Sequence, residues 1–268
     1  IDHWWRKEQI PDEVRQHLFD VVLDVLADGP LPRREIAARA VPRIGEWCEP
    51  WLTDGWGGAY STMCQYGLLV FGPAVGNSPT FARRDTWGNF APLASRPEDA
   101  FEMIRRYLRS FGPATVQDVA YWIGANLRDV KPFWDAMCAE FVPIETDGKI
   151  RYLLATDLHD LLAMEDASLP VRLIPAFDPL LLAPRDKGEL LDMRFHKRIY
   201  GAAAWVYPAL LVDGRVVANW TYERKPKHIE IVIHPFTRIN KRLLPAIKRD
   251  ARHLAAAISR DASVTIAD

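Results

Sequence analysis

One phrase is written twice in this chain. "GPLPRREIA" runs from Gly29 to Ala37 and "GPATVQDVA" from Gly112 to Ala120, and the pair constrains the fold more than any other feature. Each copy follows an amphipathic stretch. Val14, Leu18, Val21, Val22 and Val25 precede the first and Phe101, Ile104, Leu108 and Phe111 the second, at the three- and four-residue spacings of one helical face. Glycine followed by proline stops such a helix, because glycine accepts the backbone angles of a helix end and proline cannot extend the hydrogen-bond ladder. Set in register at Gly-Pro, the copies align Val21 with Ile104, Val25 with Leu108, Glu35 with Asp118, Ile36 with Val119 and Ala37 with Ala120. A duplicated helix joint implies a duplicated module.

The residues around the joints fill in one plan twice. In the first copy Pro32 suits the opening turn of a helix through "RREIAARA", a third helix falls within Trp51 to Gly67, and "LLVFG" and "TFARR" read as strands on either side of a "PAVGNSP" turn. In the second copy Thr115 is expected to cap "VQDVAYWIG", and Asn126 to cap a helix over Leu127 to Glu140 with Val130, Phe133, Trp134 and Met137 on its apolar side. "FVPIE", "TDGK" and "IRYLL" then form a β-hairpin with Asp-Gly in the turn. Three helices followed by a hairpin is the plan of a winged helix-turn-helix. The expected boundaries are a winged-helix module over residues 1–95 and a second over 96–156.

Residues 157–268 change character. "VRLIPAFDPLLLAPRDKGELL" is apolar with interior prolines, which suits strand and buried loop rather than helix. "PALLV", an Asp213-Gly214 turn, "RVVANWTYE", an "RKPK" turn and "HIEIVIHP" read as an antiparallel meander. "INKRLLPAIKRDARHLAAAI" is the last clear element, an amphipathic helix with Pro245 in its first turn. The expected fold class is α+β, with tandem winged helix-turn-helix modules followed by a β-rich C-terminal module that carries a terminal helix.

Lys and Arg number 34 against 35 Asp and Glu, for a formal charge of −1, so any cationic surface must be local. Cys48, Cys64 and Cys138 have no CxxC spacing and read as free thiols of a reducing cytosol. The histidines show no HxxxH or Cys-His spacing, and GxSxG, P-loop and GxGxxG motifs are missing, so neither metal nor cofactor is expected. No run approaches the roughly 20 apolar residues of a membrane helix, and no signal segment opens the chain. The expected setting is cytoplasmic, with no membrane partner. The first residue is Ile1 rather than Met, which suggests a piece of something longer.

A winged helix sets its third helix in the major groove and its hairpin against the backbone or minor groove. Cations placed for that role are Arg33, Arg34 and Arg43 around the second helix of copy one, and Arg83 and Arg84 at the end of its wing. Copy two offers Arg128 and Lys131 at the start of its third helix, and Lys149 and Arg151 on its wing. Contacts from such residues to phosphate give affinity rather than sequence readout. The densest basic clusters, "RFHKR" at Arg194 to Arg198 and "ERKPKH" at Glu223 to His228, suit either a nucleic-acid surface or solvated turns. Asp129 and Asp135 weigh against a DNA-facing third helix in copy two. Two other classes stay open: a transcription regulator reading a palindrome as a dimer, and a module that contacts only proteins.

The third segment carries a resemblance. The Phe177-Asp178, Leu181-Leu182 and Arg185 pattern, the run Asp213-Gly214-Arg215-Val216-Val217 and Trp220 resemble the signature of the AlkZ/YcaQ-type winged-helix DNA glycosylases. The resemblance covers nearly the whole chain from about Asp12 onward. It implies tandem winged helices cupped around a concave DNA-binding face, excision of alkylated or cross-linked bases by the full-length form, double-stranded DNA as partner, and a monomer. It adds Arg185 to the DNA-binding set. The family's catalytic element resembles Gln-x-Gln or Gln-x-Asp in the N-terminal region. Gln9, Gln16, Gln65 and Gln117 have neither residue two positions on, so the catalytic residue is unknown here and the N-terminal catalytic module is expected to be missing.

Overall fold

The computed structural model describes residues 3–55, 58–90, 96–146, 148–164 and 169–267. The fold is mixed helix and sheet, and the chain divides into two compact units, Ile1–Ser95 and Arg96–Asp268.

In the first unit, α1 (His3–Lys7) and α2 (Asp12–Val25) lead to the short strand β1 (Leu31–Pro32) and to α3 (Arg33–Ile44). Then come α4 (Glu49–Thr53), α5 (Gly58–Gln65), the hairpin β2 (Leu69–Val75) and β3 (Ser78–Arg83), and α6 (Arg84–Trp87). α2 buries Leu18, Phe19, Val21, Val22 and Val25, the face expected from its spacing. The third helix expected within Trp51 to Gly67 is α5, and the separate short α4 precedes it. The Asp54 carboxylate accepts the Gly58 N–H at 3.1 Å, and Gly58 has φ +48°, so the chain restarts a helix there. The hairpin also runs further than expected. β2 continues through "PAV" over a bulge between Gly72 and Val75, leaving Gly76, at φ +61°, in the turn. The core holds Trp5 stacked on Trp51 at 4.0 Å, with the Trp5 indole N–H donating to Thr62 Oγ1 at 3.0 Å, and Tyr60 stacked on Phe81 at 4.5 Å.

The second unit opens with α7 (Pro97–Phe111), α8 (Val116–Ile123), α9 (Leu127–Ala136) and the hairpin β4 (Phe141–Thr146) with β5 (Lys149–Leu154). Thr115 caps α8 as expected: its side chain accepts from the Asp118 N–H while Asp118 accepts from the Thr115 N–H, a reciprocal box. Asn126 does not cap α9. Its side-chain amide donates to Asp129 at 3.1 Å, which leaves the helix start without a side-chain acceptor. α9 also ends at Ala136, and Cys138–Glu140 form a tighter 3-10 turn. Asp147, expected in the hairpin turn, lies outside the described residues.

After α10 (Leu158–Ala163) and β6 (Arg172–Ile174), the "FDPLLLAPR" stretch, expected as strand and buried loop, holds one short helix, α11 (Pro179–Leu182), and 3-10 turns at Lys187–Glu189 and Met193–Phe195 lead to α12 (His196–Ile199). Asp178 caps α11 by accepting from the Leu180 N–H at 2.9 Å. The expected meander is present as β7 (Ala209–Val212), β8 (Arg215–Arg224) and β9 (His228–Pro235), and the expected terminal helix as α13 (Leu244–Ala256) with Pro245 in its first turn. Asp213 and Gly214, at φ +47° and +72°, make the tight turn between β7 and β8. One strand was not anticipated: β10 (Asp261–Ile266) pairs parallel with β9 and closes the sheet order β10-β9-β8-β7-β6. The two-residue alternation sends Leu210, Ala218, Trp220, Ile229, Ile231 and Ile233 toward Ile247, Ala251 and Ala255 of α13. Ala209, Leu211 and Val216 face the other way, onto Leu181, Leu191 and Ile199.

Candidate nucleic-acid interface

Both Gly-Pro joints lead from a helix into a pairing with the returning strand of a hairpin, though their backbones differ: Gly29 has φ +139° and Gly112 has φ −73°, and Gly112-Pro113 is cis. Five residues, Leu26 to Pro30, carry the chain from the α2 end to β1, where Leu31 pairs with Phe81 of the returning strand β3. At the equivalent place in the second unit, Ala114 bridges to Tyr152 of β5, with Ala114 N–H donating at 3.0 Å and Tyr152 N–H donating back at 2.8 Å. The residue after the joint is therefore a short third strand on the first hairpin and an isolated bridge to the second. Gly112 is needed there because a Cβ would press into the Leu108 carbonyl of the preceding helix.

The cations expected on these elements sit in different surroundings. In the first unit Arg33 turns inward, donating to the Asp54 carbonyl, with its guanidinium 5.4 Å from the Tyr60 ring centre and 5.8 Å from that of Phe81. Burial pushes the Tyr60 hydroxyl far above its ordinary pKa, against the opposing pull of Arg33. Arg43 pairs with Asp24 at 2.7 Å. Arg83 grips both Asp85 oxygens, at 3.0 and 2.6 Å, and Arg84 lies 5.2 Å over the Phe90 ring. Arg34 is exposed and meets no carboxylate among the described residues.

The second unit repeats that division. Lys131 pairs with Asp135 at 2.6 Å, Lys149 with Asp186 at 3.1 Å, and the exposed Arg128 approaches Asp129 at 3.4 Å. Arg151 forms a two-pronged pair with Glu189, its side chain only 11% exposed. Arg185 stands exposed with no carboxylate partner among the described residues.

The motif residues around Arg185 form the scaffold of that segment. The Lys187 ammonium donates to the carbonyls of Leu181, Leu182 and Pro184 at 3.0, 2.9 and 2.7 Å, with the Tyr121 and Tyr200 rings 5.2 and 5.3 Å away. Burial lowers its pKa to about 8. Tyr200 donates to Leu181 O at 2.7 Å and Tyr107 to Ala183 O at 3.2 Å. Arg215 reaches the Gly188 and Glu189 carbonyls, and the Trp220 indole N–H is shared between Ile174 O and Ala209 O. These contacts tie the "DPLLLAPRDKGELL" segment into one body and leave Arg185 on its outside.

The basic clusters read from sequence are largely occupied too. Arg194 binds Asp192, Arg198 donates to the Pro235 and His234 carbonyls, and Lys225 pairs with Glu230. The densest set of cations without carboxylate partners lies elsewhere, between Arg238 and Arg252, and sequence reading passed it over as part of an ordinary amphipathic helix. The signal was available: six cations against one carboxylate in that stretch. Among the described residues no group of three His, Cys, Asp or Glu is placed to hold a metal, and no helix is long and apolar enough to cross a membrane.

Comparison with known proteins gives one consistent picture. The family model described as DNA glycosylase AlkZ-like matches residues 2–260. An interstrand DNA cross-link repair glycosylase of Streptomyces sahachiroi is 27% identical over 264 residues, covering 95% of this chain and 69% of the relative. The solved structure of the Streptomyces sahachiroi DNA glycosylase AlkZ matches with a TM-score of 0.77 at 26% identity, over 98% of this chain and 72% of that one.

Proposed function

The chain belongs to the AlkZ-like DNA glycosylase family, and on that premise we propose that it holds double-stranded DNA for removal of alkylated or cross-linked bases. The observation that carries the reading is the family match across residues 2–260, on a chain that twice follows a Gly-Pro helix stop with a pairing to a hairpin strand. The relative's own name, an interstrand cross-link repair glycosylase, suggests the lesion class.

In this reading residues 1–95 and 96–156 are winged-helix modules, and 157–268 is a β-rich module braced against the second. Arg34, Arg128 and Arg185, the most open of the expected cations, meet phosphate directly. Arg33, Arg43, Arg83, Arg84, Lys131, Lys149 and Arg151 shape the surface around them, and those held by exposed carboxylates exchange partner for phosphate. The protein acts as a monomer in the cytoplasm.

The chemistry asked of such a site is modest. Water must attack C1′ of the sugar as the base departs, and alkylation of a purine at N7 gives a cationic base that leaves readily. A small polar group that orients and deprotonates the water suffices, and a bulky cross-link need not be fully extruded from the stack. No catalytic residue is assigned: Gln9, Gln16, Gln65 and Gln117 are exposed, and none has the paired Gln or Asp two positions on.

The test is incubation with duplex carrying N7-alkylated guanine or an interstrand cross-link, followed by alkaline cleavage at abasic sites. Strand breaks at the lesion are expected. Intact strands together with retained duplex binding would overturn excision and favour a DNA-binding regulator.

A further inference from the structure

We propose that the outward face of α13, with the turn that leads into it, is a phosphate-binding strip for one strand of duplex DNA. The proposal rests on the DNA-binding reading above and adds a surface that neither the repeated modules nor the family signature marks.

Arg238, Lys241, Arg242, Lys248, Arg249 and Arg252 occupy this stretch, all exposed, and none has a carboxylate partner among the described residues. The one acid among them, Asp250, faces away: it accepts the Leu173 N–H at 2.7 Å and pairs with Arg172 at 3.1 Å, with its side chain 12% exposed. The inner face of α13 is Ile247, Ala251 and Ala255, fully buried on the sheet. Helical spacing then puts Arg249 opposite that face and Lys248 and Arg252 together on one exposed flank of it.

Single exposed cations without a carboxylate, such as Arg34 and Arg185, occur elsewhere, but here six fall within fifteen residues. Arg39, Arg106 and Arg194 are each exposed but paired with Glu35, Glu102 and Asp192. A protein with a formal charge of −1 that places six neighbouring cations without a carboxylate partner among the described residues concentrates its positive potential there.

The dimensions suit a nucleic-acid backbone. At about 1.5 Å per helical residue, Lys241 to Arg252 spans about 17 Å. One DNA strand presents a phosphate every 3.4 Å or so of axis, so about five fall along that length. An acidic membrane surface fits less well, because a helix that binds one must offer an apolar face to the lipid, and that face of α13 is spent on the sheet.

The test is duplex binding by the whole chain as a function of salt, comparing the unmodified protein with a Lys248→Gln, Arg249→Gln, Arg252→Gln variant. Each lost phosphate contact should make the slope of log K against log salt shallower by about 0.9, so a reduction of about 2 to 3 is expected. A control removing the same number of charges at Arg39→Gln, Arg106→Gln and Arg194→Gln should leave the slope within about half a contact, ~0.5, of the unmodified protein. Restoring charge with Lys248→Arg in place of Lys248→Gln should recover part of the loss. An unchanged slope in the first variant, with the unmodified protein still binding, overturns this inference alone. No duplex binding by the unmodified protein overturns the DNA-binding reading with it. Capture by phosphatidylserine vesicles that the first variant loses, with duplex binding unaffected, overturns it in favour of a membrane.

Discussion

Ala114 and Tyr152 exchange two backbone hydrogen bonds, at 3.0 and 2.8 Å, and so bridge the residue after Gly112-Pro113 to the hairpin strand β5. After Gly29-Pro30, Leu31 stands in antiparallel register with Phe81. The repeated phrase thus specifies both a helix stop and a pairing to a hairpin strand. That explains why glycine stands at the closest approach: a Cβ on Gly112 would meet the Leu108 carbonyl. Gly112→Ala is expected to lower unfolding free energy by about 1–3 kcal/mol, read by denaturant titration. An effect within about 0.5 kcal/mol would mean the joint yields freely.

The copies differ in how the next helix starts. Asp118 is buried and accepts from both the Thr115 N–H, at 2.9 Å, and the Thr115 hydroxyl, at 2.6 Å. Glu35, its counterpart, is exposed and pairs with Arg39 at 3.4 Å, because Pro32 replaces the threonine and offers neither donor. Asp118→Ala should therefore cost about 1–2 kcal/mol, whereas Glu35→Ala should stay within about 0.5 kcal/mol. Equal losses in thermal unfolding would contradict the assignment of the cap.

Much of the first-order plan is legible in the sequence because it depends on local periodicity. The faces of α2 and α7, the Thr115 cap, the Asp213-Gly214 turn and Pro245 at the start of α13 are all local facts. What sequence missed depends on contacts distant in the chain. β10 is an edge strand recognised only through its parallel pairing with β9. The interface was harder still. Arg and Lys are visible in a sequence, but whether Glu189, thirty-eight positions away, stands against Arg151 is decided by folding.

Arg151 and Glu189 offer a direct probe of that point. Arg151→Ala leaves the Glu189 carboxylate partly buried without its partner and should cost about 1–3 kcal/mol of stability. Arg185→Ala removes an exposed cation and should leave stability within about 0.5 kcal/mol. Its effect should appear in the salt dependence of DNA binding, by about 0.9 in slope for one phosphate contact. The reverse assignment, with Arg151 changing the slope and Arg185 the stability, would contradict the geometry.

Lys187 makes a prediction about pH. Its ammonium satisfies three carbonyls, so Lys187→Met should cost about 1–3 kcal/mol at neutral pH. Its folded pKa, lowered by burial to about 8, lies below the lysine value of about 10.4 in an unfolded chain. Between the two, the unfolded chain binds a proton that the folded chain has released, so this group adds stability as pH rises through that window. The change in stability from neutral to about pH 9.5 should be more favourable in the unmodified protein than in Lys187→Met. Identical changes would show that Lys187 does not titrate there.

The most direct measurement of the central claim is equilibrium binding of the unmodified chain to duplex DNA across about 50 to 200 mM salt. Phosphate recognition by Arg34, Arg185 and the α13 strip requires log K to fall linearly with log salt, with a slope of about −4 or steeper. Binding that is salt-insensitive, or lacking altogether at the low end, would contradict it.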